Sequence, residues 1–267
     1  MENIFDHGDK LQESFKTRPL FIFLDYDGTL SPIAQTPEEA NLPEENKKIL
    51  EELAAGPLCQ ITIISGRALA DIKAKVGIEN ITYVGNHGFE IEGHGIHFGV
   101  PFGAEIHTTL DEIRAKLSQE LAGIKGVILE HKGWTLSIHY RQVPEEDMDR
   151  FNKISAQVCR PYFLKRQIVI QSGKKVFELR PPVQWNKGSV IWWLLSRQEF
   201  SLGKKDILPI YIGDDQTDED AFRSLKQKGI AIRVGFADSS EARYYLNDIG
   251  QVHVLLKKIS DLRKQPA

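Results

Sequence analysis

Leu24-Asp25-Tyr26-Asp27-Gly28-Thr29-Leu30 closes an uncharged apolar run, Leu20-Phe21-Ile22-Phe23-Leu24. Five apolar residues without alternation read as a strand buried on both faces, as in parallel sheets. Two aspartates follow where that strand ends. Residues i and i+2 of an extended segment point to the same side, so the Asp25 and Asp27 carboxylates are expected to meet one ligand. Gly28 permits a sharp exit. Open α/β sheets bind ligands at the carboxyl ends of their strands. Asp25 there could attack phosphorus and form an aspartyl phosphate, which splits one hard displacement into two easier ones. Asp27 could protonate the leaving oxygen and later take a proton from water. Standing alone, an Asp-x-Asp pair is equally well a turn or a helix cap.

A second acidic element, Gly213-Asp214-Asp215-Gln216-Thr217-Asp218-Glu219-Asp220, again follows an apolar run, Ile207 to Ile212. Asp214 and Asp218 could complete an all-oxygen site, and Mg²⁺ suits one or two carboxylates, substrate phosphate and waters. The same acids also make a good helix start. Ser65-Gly66-Arg67 follows a third apolar run and is expected to open a helix to about Val76. Its hydroxyl and amides would fit a phosphate oxygen or simply cap the helix. Lys187, in Asn186-Lys187-Gly188, could clamp phosphate and nucleophile as a point charge, or lie on the solvated surface.

The rest of the chain bounds these readings. Its 267 residues suffice for a core domain plus a smaller one, and 41% hydrophobic content supports a substantial core. A net charge of -3 gives no electrostatic case for nucleic acid or an anionic membrane. No apolar run is long enough for a transmembrane helix, and the N-terminus lacks a signal-peptide pattern. Two cysteines, Cys59 and Cys159, fit a reducing cytoplasm.

Strands and helices alternate at both ends of the chain, which implies a doubly wound parallel sheet, an α/β core. A helix is expected from Pro43, as its first residue, to Ala55. Strands are expected at Cys59 to Ile64, Ile81 to Val84, Ile207 to Ile212 and Gly229 to Val234. Pro209 argues against a central position for the third of these, Ile207 to Ile212. The middle reads helix, strand, strand, helix, strand, strand, with hairpin turns at His131-Lys132-Gly133 and Ser172-Gly173-Lys174. This is a small α+β insert at residues 100–180, with the core at 1–99 and 181–267. Lys174 and Glu178, four apart, would share a face on one strand or form a surface charge pair. His87 and His139 could be core or turn residues. Trp134, Trp185, Trp192 and Trp193 read as packing. Residues 1–17 read as a short helix or a frayed end.

Taken in order, Asp25-Tyr26-Asp27-Gly28-Thr29-Leu30-Ser31-Pro32, Ser65-Gly66-Arg67, Gly85-Asn86-His87-Gly88, Asn186-Lys187-Gly188 and the Gly213 to Asp220 element resemble the haloacid dehalogenase-like phosphatases with a C2 cap. With His139-Tyr140-Arg141 and Gly173-Lys174-Lys175-Val176-Phe177-Glu178-Leu179-Arg180-Pro181, the chain is most similar to their trehalose-6-phosphate phosphatase branch. The resemblance implies Asp25 as nucleophile and metal ligand, and Asp27 as acid/base with its backbone carbonyl on Mg²⁺. It implies Asp214 as further ligand, with Asp218 supporting the site. Ser65, Gly66 and Lys187 would bind phosphate. Arg67, Asn86, His87, Arg141, Lys174 and Glu178 would bind the sugar, and cap closure would exclude water. The expected partner is a small-molecule sugar phosphate, with no nucleic acid and no membrane, for a cytoplasmic monomer. Sucrose phosphate or mannosyl-glycerate phosphate would be alternative substrates, and a catalytically silent sugar-phosphate-binding module is the alternative of another class.

Overall fold

A computed structural model describes residues 1–93, 95–202 and 206–265. The chain divides into two compact units, Met1–Phe98 with Trp185–Ala267, and Gly99–Gln184. The first opens with β1 (Glu2–Asn3), α1 (Gly8–Thr17), β2 (Leu20–Leu24), α2 (Glu44–Ala55), β3 (Cys59–Ile64), α3 (Leu69–Val76), β4 (Thr82–Gly85), β5 (Glu90–Gly93) and β6 (Ile96–Gly99). The second holds α4 (Glu105–Glu120), β7 (Ile128–His131), β8 (Leu136–His139), α5 (Met148–Leu164), β9 (Val169–Gly173) and β10 (Val176–Arg180). The first resumes with α6 (Lys187–Leu202), β11 (Leu208–Gly213), α7 (Glu219–Leu225), β12 (Ile230–Val234), β13 (Tyr244–Leu246) and α8 (Ile249–Lys264).

The larger unit is built on one sheet in the order β1-β13-β12-β11-β2-β3-β4-β5-β6. Its pairs from β1 to β4 are parallel, and β5 runs antiparallel to β4. The apolar run of β2 shows why the sheet is covered on both faces. Leu20, Ile22 and Leu24 join a core with residues of α2, α3 and α8, while Phe21 and Phe23 join one with α6 and α7. A strand buried on both sides favours an apolar residue at every position.

Pro209 nevertheless sits in a central strand, between β12 and β2. The backbone N–H of Leu208 donates toward the β2 side, to Pro19 O at 2.8 Å. Neighbouring residues alternate sides, so the Pro209 nitrogen faces β12, whose pairing with β11 starts only at Ile210 and Ile230. No ladder hydrogen bond is lost, which is why the proline is tolerated.

Two helix starts also differ from expectation. Pro43, with ψ 137°, caps α2 from outside rather than beginning it. Ser65-Gly66-Arg67 forms a loop, and α3 begins only at Leu69. The N-terminal segment contributes an edge strand and a helix, and β13 and α8 complete the C-terminal end.

The smaller unit is an antiparallel sheet, β7-β8-β10-β9, packed against α4 and α5 around Leu110, Leu117, Ile138, Phe151 and Leu179. The β9–β10 turn consists of Lys174 and Lys175, one residue later than expected, and Lys175 takes φ 65°. Lys174 therefore lies in a turn and not on the strand that carries Glu178, so the two do not share a strand face.

Candidate active site

The carboxyl ends of β11, β2, β3 and β4 lie side by side, because Ile212 pairs with Leu24, Leu24 with Ile63 and Ile64 with Val84. The residues one or two steps beyond those ends are Asp214, Asp25, Ser65 and Asn86, all of them buried. The order of the strands alone thus lines up four of the expected site residues.

Asp25, Asp214 and Asp218 each place a carboxylate oxygen within 4.8 Å of the others. Lys187, first residue of α6, enters this group and donates to Asp25 Oδ1 at 2.7 Å and Asp218 Oδ1 at 2.6 Å. It is 3% exposed, so the surface reading of this lysine is set aside. Burial pushes the Asp25 carboxyl well up, against the pull of Lys187 and with the help of Asp218 and Asp214. Burial works against the Lys187 charge, yet Asp218 and Asp25 hold it well above the ordinary lysine value.

Asp218 is the most fully satisfied member. Its Oδ1 accepts from Lys187 and from the Tyr211 hydroxyl at 2.5 Å, and its Oδ2 from the backbone N–H groups of Asp214 and Asp215 at 2.9 Å each. Burial opposes its ionisation, but these donors, Lys187 foremost, bring its pKa below the usual carboxylate value. Four hydrogen bonds occupy the four lone-pair directions of a carboxylate. Its geometry therefore suits holding Lys187 and the loop in place.

Asp27 departs from the shared-ligand expectation. After Leu24 the chain turns: the Leu30 and Ser31 N–H groups both donate to Tyr26 O, and Gly28 takes φ 91°. Side-chain alternation holds only along extended backbone. The Asp27 carboxylate faces Arg67 instead, whose Nε and Nη2 donate to its two oxygens at 2.8 and 2.7 Å. Arg67 Nη1 donates to Asp71 at 2.8 Å. Arg67, expected on the sugar route, is thus committed to two carboxylates. Gly28 has a further requirement, since a Cβ there would lie 2.3 Å from Asp214 Oδ2.

Ser65 Oγ accepts from the Arg67 N–H at 3.1 Å, and the Ser65 carbonyl accepts from the His87 N–H at 3.0 Å. Gly66 leaves room for the His87 ring, whose Nε2 would sit 2.3 Å from a Cβ at that position. Asn86 and His87 both hold positive φ, 48° and 56°. Two consecutive strained non-glycine residues are a mark of functional loops. The Asn86 amide donates to Glu90 at 2.6 Å.

In the smaller unit, Glu178 is buried on β10 and accepts from Lys132 at 3.0 Å and from Ser137 at 3.3 Å. Arg141 donates to the Lys174 carbonyl at 2.9 Å, and His139 pairs with Glu130 at 2.8 Å. The tryptophans pack: Trp185 and Trp193 against Phe98, Trp134 against Phe102 and His107.

Sequence reading did not single out Tyr211 or Asp71. A usable signal for Tyr211 existed: a lone phenol inside an otherwise aliphatic buried strand needs a hydrogen-bond partner.

Three buried carboxylates against one ammonium leave a deficit of positive charge, which burial makes costly. Hard oxygen donors in that arrangement fit a divalent cation such as Mg²⁺.

Known proteins share this architecture and sequence. A trehalose-phosphate phosphatase of Mycobacterium tuberculosis is 37% identical over 232 residues, 86% of this chain. The chain spans 58% of the length of that relative. A trehalose 6-phosphate phosphatase of Zea mays is 32% identical over 97% of this chain and 75% of its own. The C-terminal domain of a Candida albicans trehalose-6-phosphate phosphatase superimposes with a TM-score of 0.82 at 25% identity, covering 95% of this chain and 97% of that one. The trehalose-phosphatase family model matches residues 23–249, from within β2 through every strand end and acidic loop of the site. The chain therefore belongs to the trehalose-phosphatase family.

Proposed function

We propose that this chain hydrolyses trehalose 6-phosphate to trehalose and inorganic phosphate. The observation that carries the chemistry is the buried Asp25–Lys187–Asp218 chain beside Asp214 at the end of β2. Family membership points to the sugar.

An Asp25 carboxylate oxygen attacks phosphorus, the bond from phosphorus to the sugar oxygen breaks, and Asp27 donates its proton to that oxygen. In the second half Asp27 takes a proton from water, the water oxygen attacks phosphorus, and the Asp25–phosphorus bond opens to release phosphate. Lys187 keeps a positive charge on the line between nucleophile and phosphate. Ser65 and the Gly66 amide take phosphate oxygens. Asp25, Asp214 and the Asp27 carbonyl would hold Mg²⁺, which when bound offsets charge between the anionic nucleophile and the anionic ester. Asp218 supports this set without binding the cation directly.

Arg67 is assigned here to holding Asp27. Asn86 and His87 in the larger unit are assigned to the sugar, and so, separately, are Arg141, Lys174 and Glu178 in the smaller unit; the many hydroxyls of a sugar reward paired polar groups. No helix among the described residues is long and apolar enough to cross a membrane.

The test is phosphate release from a sugar-phosphate panel with Mg²⁺ and with EDTA, using the wild type and Asp25→Asn. Mg²⁺-dependent release that prefers trehalose 6-phosphate and vanishes in Asp25→Asn is the expected result. A clear preference for sucrose phosphate or mannosyl-glycerate phosphate would overturn the sugar assignment. Tight binding without turnover would favour the silent module.

A further inference from the structure

We propose that Tyr211 is a positioning residue for this phosphatase chemistry, acting through Asp218 on Lys187. The proposal rests on the hydrolytic reading above and deepens it.

Tyr211 is fully buried on β11, and its ring packs edge-on against Phe222 at 5.7 Å between centroids. A phenol has two side-chain torsions that place its ring, and packing fixes both, so its hydroxyl oxygen has a fixed position. That hydroxyl meets Asp218 Oδ1 at 2.5 Å, the same oxygen that accepts from Lys187 at 2.6 Å. The other oxygen is pinned by two backbone N–H groups. The Asp218 carboxyl also lies flat on Gly213, where a Cβ would come within 2.4 Å of its carbon. Three of these constraints come from the backbone of the acidic loop. Among the described residues, Tyr211 supplies the one side-chain hydrogen bond to Asp218 that does not itself belong to the reacting chain.

Without the hydroxyl, Oδ1 keeps a single donor, and that donor is the lysine. Asp218 then draws Lys187 with its full unshared lone-pair capacity, at the expense of the Lys187–Asp25 contact at 2.7 Å. The tyrosine hydroxyl thus divides the attention of Oδ1 and leaves the ammonium centred between the two carboxylates. Among the described residues its hydroxyl hydrogen-bonds to Asp218 and to none of the residues assigned to the phosphate-binding loop or the sugar, so its loss is expected in turnover more than in substrate affinity.

The experiment compares wild type with Tyr211→Phe on two esters, trehalose 6-phosphate and para-nitrophenyl phosphate. The second needs the carboxylate–lysine chain but no sugar recognition. Expected for Tyr211→Phe is a fall in kcat of roughly tenfold on para-nitrophenyl phosphate, the scale of one charge-assisted hydrogen bond, with KM changed less than about twofold. In an Asp218→Asn background the same change is expected to add less than about twofold, because residues that act as a unit are not additive. Circular dichroism melting of each variant checks the fold, and the ring retained in phenylalanine preserves the packing. Tyr211→Phe matching wild type in kcat, or adding its full effect to Asp218→Asn, overturns the proposal. Wild type that hydrolyses para-nitrophenyl phosphate but not trehalose 6-phosphate overturns the sugar reading alone.

Discussion

Arg67 and Asp27 stand 40 positions apart in the chain and meet through a two-point fork, Nε to Oδ2 and Nη2 to Oδ1. The guanidinium is 7% exposed at its side chain and the carboxylate 40%. A nearly buried cation thus orients a group that still faces solvent, which is what an acid/base residue requires.

Arg67→Lys keeps the charge but cannot reproduce the fork, since an ammonium is a point donor. A misplaced acid/base group costs turnover more than binding, on the order of a hundredfold for a 1 Å error. A kcat lowered at least tenfold with little change in KM is expected from steady-state kinetics. A variant within twofold of wild type would show that the fork does not serve Asp27.

Lys187→Met removes the one ammonium among three buried carboxylates. Breaking a buried pair from one side typically costs about 3–5 kcal/mol, because the remaining charge is left uncompensated. Urea unfolding without divalent cation is expected to show a loss of that order, together with loss of phosphatase activity. A variant as stable as wild type would mean that solvent or protonation relieves the carboxylates.

Divalent cation is expected to stabilise the folded chain. A ligand at 100 times its Kd adds about 2.7 kcal/mol, worth several degrees in melting temperature for a chain of this size. Thermal melts in Mg²⁺ and in EDTA are expected to differ accordingly for wild type and to coincide for Asp214→Asn. Asp214→Asn should also melt higher than wild type in EDTA, because it relieves part of the negative excess. A Mg²⁺ shift that survives in Asp214→Asn would locate the cation elsewhere.

Cys159 sets an alkaline limit. Burial alone pushes its thiol from the ordinary value of 9.0 up to about 12. Below pH 9 the thiol is protonated in both states and the stability it supports is fully present. Between pH 9 and about 12 the unfolded chain releases the proton while the folded chain holds it, so stability falls as pH rises. The slope is about 1 kcal/mol per pH unit. Urea unfolding from pH 8 to 11 is expected to show a shallower decline for Cys159→Ala than for wild type. Equal slopes would assign the alkaline loss to other groups, such as Tyr83, whose buried phenol is raised to about 12.

Much of the fold was legible because each signal was local. The run from Leu20 to Leu24 declares a strand with no solvent face, and the middle segment declares two hairpins and two helices. Pro209 misled because the side to which a strand nitrogen points depends on where the neighbouring strand begins. Ser65-Gly66-Arg67 misled because those residues bond to the ends of β4 and to His87 rather than to a following helical turn.

By itself, then, the chain's covalent order determined the strands and the acidic residues that end them. Apolar periodicity and the carboxylate placements are short-range properties, so Asp25, Asp27, Asp214 and Asp218 were visible one segment at a time. Tertiary structure alone decided who faces whom. Lys187 reaches Asp25 across 162 positions, and Arg67 takes Asp27 away from the carboxylate group that spacing suggested it would join. A charge in a low-dielectric interior is settled by whichever partners the packing brings within hydrogen-bond reach, and sequence separation carries no information about that distance.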